Sequence, residues 1–374
     1  MTTDISESLG RLGVSEEQAE LLHVATEYCR EKSPIDAVRR LIEDERGYDA
    51  DIWAEIGTLG WLGIAIPEEY DGSGLGIAEI VPVAEQMGRT LMATPFIPCT
   101  VAGQLILKAG TDAQKQRWLP KLAAGELTAT TALGEPGDEM TALGMNEQGG
   151  FLVSGSARLV EYAADADLIV LAVASGSKRQ LAVLERSSLP SDALRRERII
   201  DDTRRAHELS LEGFEVPGDS VLDPEQVDAA LAHAELVGAL LYSADMVGGA
   251  FRVIDYTADY LRTRKQFGKL IGSFQALKHP LVDAFIGHER ARSHLYAAAH
   301  SFGDQGRGEV AVRMAKAQGE KAYSYAADRA IQFHGGFGFT YDCDAGLHRR
   351  RAIYDATRYG DARTHKKRLA ELLF

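Results

Sequence analysis

The sequence has few of the residues that build metal sites and disulfide frameworks. Only three cysteines occur among 374 residues, at Cys29, Cys99 and Cys343, and they form no CxxC motif and no Cys/His pair at metal-ligand spacing. We therefore expect neither a disulfide scaffold nor a bound metal ion.

The sequence also lacks the features of exported, membrane-inserted and nucleic-acid-binding proteins. Its N-terminus is acidic, without the basic start and apolar run of an export signal, and about 18 consecutive apolar residues occur nowhere. The 55 acidic residues outnumber the 41 lysines and arginines, and the formal net charge of -14 repels nucleic acid and anionic lipid. We predict a cytoplasmic protein in which any anionic ligand is held by a local basic cluster.

Length and hydrophobic patterning predict three structural parts, because a single core rarely grows past about 250 to 300 residues. Residues 1–126 show apolar residues at helical spacing, interrupted by a Gly- and Pro-rich loop at 64–76. Residues 127–222 contain short β-prone runs at 127–133, 151–154, 168–173, 181–184 and 209–216. No helix separates these runs, which favours an antiparallel barrel or sandwich over a parallel sheet.

The remaining residues, 223–374, return to helical periodicity. Long helices are predicted from about Leu236 to Leu261, from Leu277 to Ser301 and from Glu309 to Phe333. We therefore predict a mainly α fold with a small β domain, in which an N-terminal helical domain and a C-terminal four-helix bundle flank the β part.

One motif lies where the first of these long helices ends. Three cations, Arg262, Arg264 and Lys265, precede Gly268, and basic residues suit the negative end of a helix. A solvated helix cap explains the charges alone. However, Phe267 and Gln275 flank a tight turn beside these cations, and this combination suits an aromatic ring and a pyrophosphate.

Two further segments are compatible with a ligand or with a purely structural role. Three glycines follow a helix in the segment 331–340, which allows positive φ and close approach of a ligand, although glycine caps are common at helix ends. This segment does not join a strand to a helix, so it is not a dinucleotide-binding βαβ motif. The basic segment 348–370 is either a solvated helix face or a phosphate-binding surface.

Taken in order, these segments resemble the acyl-CoA dehydrogenase family over nearly the whole chain. Residues 59–72 resemble the N-terminal signature of the family, and Arg264-Lys265-Gln266-Phe267-Gly268 with Phe274-Gln275 resembles a C-terminal one. Gln332 with Gly335, Gly336 and Gly338 resembles a third. The predicted order of helical, β and helical parts also agrees with the fold of that family.

The resemblance implies an FAD cofactor and assigns residues to it. Arg264 is expected to meet the FAD pyrophosphate, within a segment that includes Gln266, and Phe267 and Gln275 are expected to lie along the cofactor. Three residues are expected to line the adenosine half: Gln332, Gly335 and Gly336. Because the flavin of this family sits mainly on a neighbouring subunit, a dimer or tetramer is also implied.

The sequence departs from the family at the position of the catalytic base. The family removes a proton from Cα of an acyl-CoA with a glutamate that precedes Gly-Thr, but the matching window, 358–363, contains no glutamate. The alternative family position falls near Gly238, about one helical turn from Glu235. Asp361 and Glu235 are therefore the candidate bases, and each is also readily explained as an exposed or capping carboxylate.

The β domain departs from the family as well. The chain has the segment 133–140 where the family has Thr-Glu-Pro followed by Gly-Ser-Asp, and the flavin-contacting aromatic and hydroxyl residues correspond to Leu159 and Glu161. A carboxylate is poorly suited to a flavin that gains negative charge on reduction. This combination is expected of a degenerate subunit that completes the FAD site of a catalytic partner.

Three hypotheses for function follow. The first is a subunit that shares FAD with a longer homologous catalytic chain in the α,β-dehydrogenation of an acyl-CoA, in fatty-acid or steroid side-chain catabolism. The second is a self-sufficient homo-oligomeric flavoenzyme that uses Asp361 or Glu235 as its base. The third is a non-enzymatic assembly protein with the same fold. The sequence identifies neither the acyl group nor the electron acceptor.

Overall fold

The structure is a computed structural model that describes residues 13–134, 138, 140–144 and 149–374. It confirms the predicted fold class, because a small β domain separates N-terminal and C-terminal helical parts. Across the described residues there are eleven α-helices, α1 to α11: Glu16–Lys32, Ile35–Glu43, Ala50–Thr58, Ile77–Arg89, Phe96–Ala109, Asp112–Ala123, Val227–Thr263, Gln275–His300, Gly308–His334, Asp344–Thr357 and Ala362–Leu373.

The N-terminal helices begin where local sequence provides caps. Ser15 and Gln18 form a capping box at the start of α1, and Thr111 and Gln114 form another at the start of α6. The loop predicted at 64–76 lies between α3 and α4 and contains one short 3₁₀ turn, Glu68–Tyr70. Both α4 and α5 are buried along most of their length, so they form the centre of this part.

The β domain is one mixed sheet of seven strands rather than a wholly antiparallel one. The strands β1 to β7 are Ala129–Ala132, Thr141–Leu143, Phe151–Glu161, Leu168–Ser175, Lys178–Glu185, Leu194–Glu197 and Ala206–Val216. The strand order is β1-β4-β2-β3-β7-β6, and β5 pairs with β4. The prediction of antiparallel pairing was wrong for β1 and β2, both of which run parallel to β4. Strand β3 is antiparallel to β2 and returns the chain before β4 begins.

The C-terminal part is built around the 37-residue helix α7. Helices α7, α8 and α9 pack against one another, and α10 and α11 pack against α9. Among the described helices, α7 alone is long and apolar enough to cross a membrane, but 89% of its apolar window is buried inside the protein. Such burial is expected of the core helix of a bundle. The largest hydrophobic cluster joins α7 to the N-terminal helices and to the sheet.

Candidate functional site

The first predicted cofactor segment forms a hairpin at the end of α7. Strands β8 (Lys265–Gln266) and β9 (Lys269–Leu270) pair through Phe267 and Gly268, both of which have positive φ as two-residue hairpin turns require. The Phe267 side chain is 89% exposed, and Arg264 is exposed and has no ion-pair partner among the described residues. Gln275 is exposed at the first position of α8.

The second predicted segment follows the end of α9. Gln332 is exposed in the last turn, and Gly335 ends the helix with φ 61° and ψ -136°, a conformation for which glycine is suited. Gly336 is also exposed, and a Cβ atom at either glycine would contact nothing within 4 Å. The backbone of this turn is therefore open to a ligand.

A small apolar cluster brings these two segments together. Leu261 at the end of α7, Ile271 after the hairpin and Phe333 at the end of α9 are buried against one another. Directly behind the glycine turn, the His334 ring stacks on Tyr260, with 4.3 Å between ring centroids. The fold thus places all the predicted cofactor residues at one end of the C-terminal bundle.

The residue types at this end fit the distal half of FAD. An exposed guanidinium suits a pyrophosphate, an exposed phenyl ring suits a flat base or ring, and side-chain amides suit polar groups of a nucleotide. The open glycine backbone at Gly335 and Gly336 would allow a ligand to approach closely. These assignments remain predictions for the individual residues.

The positions expected to contact a flavin ring are different. Leu159 adopts a positive φ of 55°, and the Glu161 side chain is turned into the protein interior, with 3% of the residue exposed. The Glu161 carboxylate accepts hydrogen bonds from Tyr242 at 2.5 and 2.6 Å and from Tyr354 at 2.6 Å. We call Glu161, Tyr242 and Tyr354 the carboxylate cage.

The carboxylate cage does not fit a flavin-contacting role for Glu161. Burial raises the pKa of Tyr242 and of Tyr354 well above its ordinary value, so both phenols keep their protons and donate. The carboxylate is fully engaged by these donors and supplies no hydroxyl group to a cofactor. Of the neighbouring segment 133–140, residues Glu135, Pro136, Gly137 and Glu139 lie outside the described part of the chain.

A buried ion-pair network lies beside the carboxylate cage. Arg204 donates to Asp245 at 2.5 Å, and Arg351 donates to Asp201 at 2.5 Å. Asp355 is fully buried, and neither of its carboxyl oxygens has a hydrogen-bond partner among the described residues. Burial, reinforced by the nearby charge of Asp245, raises the pKa of Asp355 well above its ordinary value.

Both candidate bases have structural partners. Asp361 caps α11 by accepting a hydrogen bond from the Thr364 backbone at 2.8 Å, and this bond lowers the pKa of Asp361 below its ordinary value. Glu235 forms an ion pair with Arg313, with 3.0 Å between Oε1 and Nη1, and the Glu235 side chain is 45% exposed. A lowered pKa makes Asp361 a weaker proton acceptor. Their assignment as bases remains a prediction.

The candidate bases lie far from the predicted cofactor end. Glu235 is near the start of α7, whereas Arg264 follows its last residue, a separation of 29 residues. At the helical rise per residue, this corresponds to about 43 Å along the helix axis. Arg313 contacts both Glu235 and His365 of α11, so it links the Glu235 end of α7 to α11. A single dinucleotide does not extend over the 43 Å between Glu235 and Arg264.

Most of the basic segment 348–370 has a structural role. Arg351 and Arg358 are buried, and the other contacts are surface ion pairs. These join Arg349 to Asp328, Arg350 to Asp202, and Arg368 to Glu309 and Glu371. Three exposed cations of α11 have no ion-pair partner among the described residues: Arg363, Lys366 and Lys367.

Comparisons with known proteins identify the family. Two domain families match the chain, "Acyl-CoA dehydrogenase, N-terminal domain" over residues 15–126 and "Acyl-CoA dehydrogenase, C-terminal domain" over residues 236–372. The acyl-CoA dehydrogenase FadE12 of Mycobacterium bovis is 32% identical over 317 residues, which cover 78% of this chain and 80% of that protein. The chain belongs to the acyl-CoA dehydrogenase family. Members of this family of oxidoreductases are flavoproteins that bind FAD.

Two solved structures share the fold over nearly the whole chain. A Tcur3481-Tcur3483 steroid ACAD variant has a TM-score of 0.84 at 26% identity, covering 97% of this chain and 98% of that one. The ChsE4-ChsE5 complex from Mycobacterium tuberculosis has a TM-score of 0.88 at 24% identity, covering 96% of this chain and 98% of that one. The second likeness shows the fold alone.

Some residues of this region were not predicted from the sequence. Tyr242 and Tyr354 reach Glu161 from two different helices, and no sequence spacing signals such a contact. Lys316 is fully buried in α9, between the buried residues Val312 and Tyr323. A lysine within the apolar stripe of a helix is a detectable signal, since lysine is almost never fully buried without partners.

Proposed function

We propose that this chain is one subunit of a heteromeric acyl-CoA dehydrogenase and holds the distal half of an FAD whose flavin ring lies on a homologous catalytic chain. The assembly would carry out α,β-dehydrogenation of an acyl-CoA thioester. When bound, the flavin supplies the hydride acceptor for this reaction.

One observation carries the part of the proposal that places the cofactor between two chains. The residues that fit a nucleotide are exposed at one end of α7, about 43 Å from the candidate bases at the other end. One FAD therefore cannot contact both regions of the same chain. If the exposed end faces a second chain, the cofactor lies between subunits and its reactive ring belongs to the partner.

The interior of this chain supports the same division of roles. At the position expected to contact the flavin, Glu161 is enclosed by two phenols, and both candidate bases are engaged in a cap and an ion pair. Two structural neighbours are described as paired chains, ChsE4-ChsE5 and Tcur3481-Tcur3483, and the second is named a steroid ACAD. A steroid side-chain or fatty acyl thioester is therefore the proposed substrate class.

The test compares the chain alone with the chain co-expressed with a longer homologue. We expect little flavin in the chain alone, and flavin that is bleached by acyl-CoA in the complex. Arg264→Ala should lower the flavin content of the complex several-fold, because the pyrophosphate loses a cation. Arg262→Ala is the matched control, since Arg262 is exposed on the same helix end but pairs with Asp259 at 3.0 Å.

Two results would contradict the proposal. Full flavin loading of the chain alone, with bleaching by acyl-CoA, would instead support the self-sufficient homo-oligomeric enzyme. Asp361→Asn and Glu235→Gln would then identify its base. A complex that assembles without any flavin would support an assembly role.

A further inference from the structure

A cleft opens between the N-terminal helical part and the β domain, and we call it the polar cleft. Its volume is about 830 Å³, within the range of pockets that hold small molecules. One wall is the segment between α2 and α3, residues 44–49, together with the start of α3. The other wall comes from the turn after β5, Arg186–Ser188, and from β6 and β7. None of the predicted cofactor residues and neither candidate base lines the polar cleft.

A buried arginine fixes the two walls to each other. Arg205, which precedes β7, is 3% exposed. Its guanidinium donates to the carbonyls of Leu41, Ile42 and Asp44 at 2.8, 2.9 and 2.6 Å. Gly47 has a φ of 75°, and a Cβ atom there would lie 2.5 Å from Nε of Arg205, so this position requires glycine. The polar cleft is therefore bounded by walls that are tied together by hydrogen bonds.

The wall formed by the β domain presents two arginines. Arg186 and Arg196 are both exposed, and neither has an ion-pair partner among the described residues. The Nε atom of Arg186 donates to the Ala164 carbonyl at 2.6 Å, which orients its guanidinium. A guanidinium group presents parallel N–H groups that suit a carboxylate or a phosphate. This wall therefore offers two cations to an anionic group.

His207 lies in the same wall and has a ring nitrogen that lacks a partner. It is directly opposite Arg196 in the pairing of β6 with β7, so the two side chains share one face of the sheet. The residue is 7% exposed, and its Nδ1 has no hydrogen-bond partner in the described part of the chain. Burial lowers the pKa of His207 below its ordinary value, which favours a neutral ring. A buried polar atom without a partner costs free energy, which a ligand bonded to it recovers.

The opposite wall carries four acidic residues, Asp44, Glu45, Asp49 and Asp51. The Asp44 carboxylate accepts from the Gly47 backbone at 3.0 Å, and Asp49 caps α3 through two backbone N–H groups. Glu45 and Asp51 are exposed, and neither forms an ion pair with any described residue. This wall therefore offers carboxylates to a cationic group.

The unpaired charges of the two walls have opposite signs. Arg46 and Asp165 also line the polar cleft, but they neutralise each other in an ion pair of 3.1 Å between the walls. A purely anionic ligand is repelled by the four acids of one wall, and a purely cationic ligand is repelled by the two unpaired arginines of the other. A ligand that carries both charges avoids both penalties.

We propose that the polar cleft is a binding site for a small zwitterion. Its carboxylate or phosphate group would pair with Arg186 and Arg196 and accept a hydrogen bond from Nδ1 of His207. Its ammonium group would pair with Glu45. The site goes beyond the proposed function and does not depend on it, because the predicted cofactor residues belong to other elements.

Calorimetric titration of the full chain tests the charge requirement with four probes: 6-aminohexanoate, phosphoethanolamine, hexanoate and hexylammonium. The first two distinguish a carboxylate from a phosphate. Hexanoate and hexylammonium keep the six-carbon skeleton but carry one charge each, so both should bind about tenfold more weakly than 6-aminohexanoate or worse. If hexanoate binds as tightly as the better zwitterion, the zwitterion proposal is wrong. Absence of binding by both zwitterions at about 10 mM would overturn the site itself.

Matched variants locate the binding. Arg196→Gln should weaken binding of the better zwitterion about tenfold or more, because a hydrogen bond to a charged group is lost. Arg195→Gln is the control, since Arg195 is adjacent on β6, faces the other side of the sheet and pairs with Glu208. Glu45→Gln should also weaken binding, whereas Glu43→Gln, outside the polar cleft, should not. Equal losses in Arg195→Gln and Arg196→Gln would place the ligand elsewhere.

Nitrogen NMR of the histidine rings gives a readout that a general loss of stability would not move. The Nδ1 signal of His207, assigned by its absence in His207→Gln, should shift when the better zwitterion is added to the unmodified chain. Binding that leaves this signal in place would show that His207 does not contact the ligand and would overturn the proposed geometry. The flavin content of the complex bears on the proposed function alone, so the two proposals fail separately.

Discussion

The carboxylate cage gives a quantitative prediction for stability. Tyr354→Phe removes one hydrogen bond of 2.6 Å to a carboxylate that is 3% exposed. A hydrogen bond to a charged group contributes about 1.5 to 3 kcal/mol, so we expect a loss of that size in the free energy of unfolding. Phenylalanine keeps the ring and its packing, so the change isolates the hydroxyl group.

Tyr242→Phe is expected to lower the free energy of unfolding by at least as much as Tyr354→Phe. Its hydroxyl reaches both carboxylate oxygens, and the Arg204 guanidinium lies 5.5 Å from its ring centroid. The double variant should lose more than the sum of the two single losses, because Glu161 is then buried without either phenol donor. Breaking a buried charge away from its partners costs about 3 to 5 kcal/mol.

Urea denaturation of the full chain, followed by far-UV circular dichroism, measures these losses. Tyr325→Phe is the control, because Tyr325 is 37% exposed and lies on α9, away from the cage. A loss of less than about 0.5 kcal/mol for Tyr354→Phe, the range of ordinary surface substitutions, would refute the reasoning. Strict additivity of the two single losses would show that the phenols do not act on a shared carboxylate.

Two further predictions concern Asp355 and Asp361. Because the pKa of Asp355 is raised, its contribution to stability is complete below its unfolded pKa, near 4, and is lost as pH rises through the folded pKa. Asp355→Asn should therefore gain stability relative to the unmodified chain as pH rises, and parallel Tm profiles for the two would contradict a raised pKa of Asp355. Asp361→Ala should lower stability by about 1 kcal/mol through loss of the cap on α11, and under the proposed function it should leave the activity of the complex intact. A large loss of activity with little loss of stability would instead identify Asp361 as a base.

The helices were the most predictable part of the fold. The stripe from Leu236 to Leu261 predicted the core of α7, although the helix itself extends from Val227 to Thr263. Strands β2 and β6 were missed, since Thr141–Leu143 has three residues and Leu194–Glu197 carries two arginines and a glutamate. Their positions depend on hydrogen bonding to the strands that follow them, β3 and β7, rather than on local hydrophobicity.

The candidate site was likewise predictable in part, in its residue types but not in its arrangement. The residue types of the hairpin and of the glycine turn predicted a nucleotide-binding chemistry, but their proximity depends on packing between Leu261, Ile271 and Phe333. The basic segment 348–370 could not be interpreted from charge alone. Its arginines proved to be mostly paired with acidic residues far away in sequence, such as Asp202 and Asp328.

The sequence by itself determined the family, the order of helical and β parts, and the absence of a glutamate before Gly360. These properties can be recognised from local patterns and motifs, because residues close together in the sequence are enough to define them. Only the tertiary structure decided that Glu161 turns inward to two phenols and that the Tyr359 ring lies on Gly238. Both contacts join residues more than 80 positions apart, and the fit of one side chain against another exists only once the chain is packed.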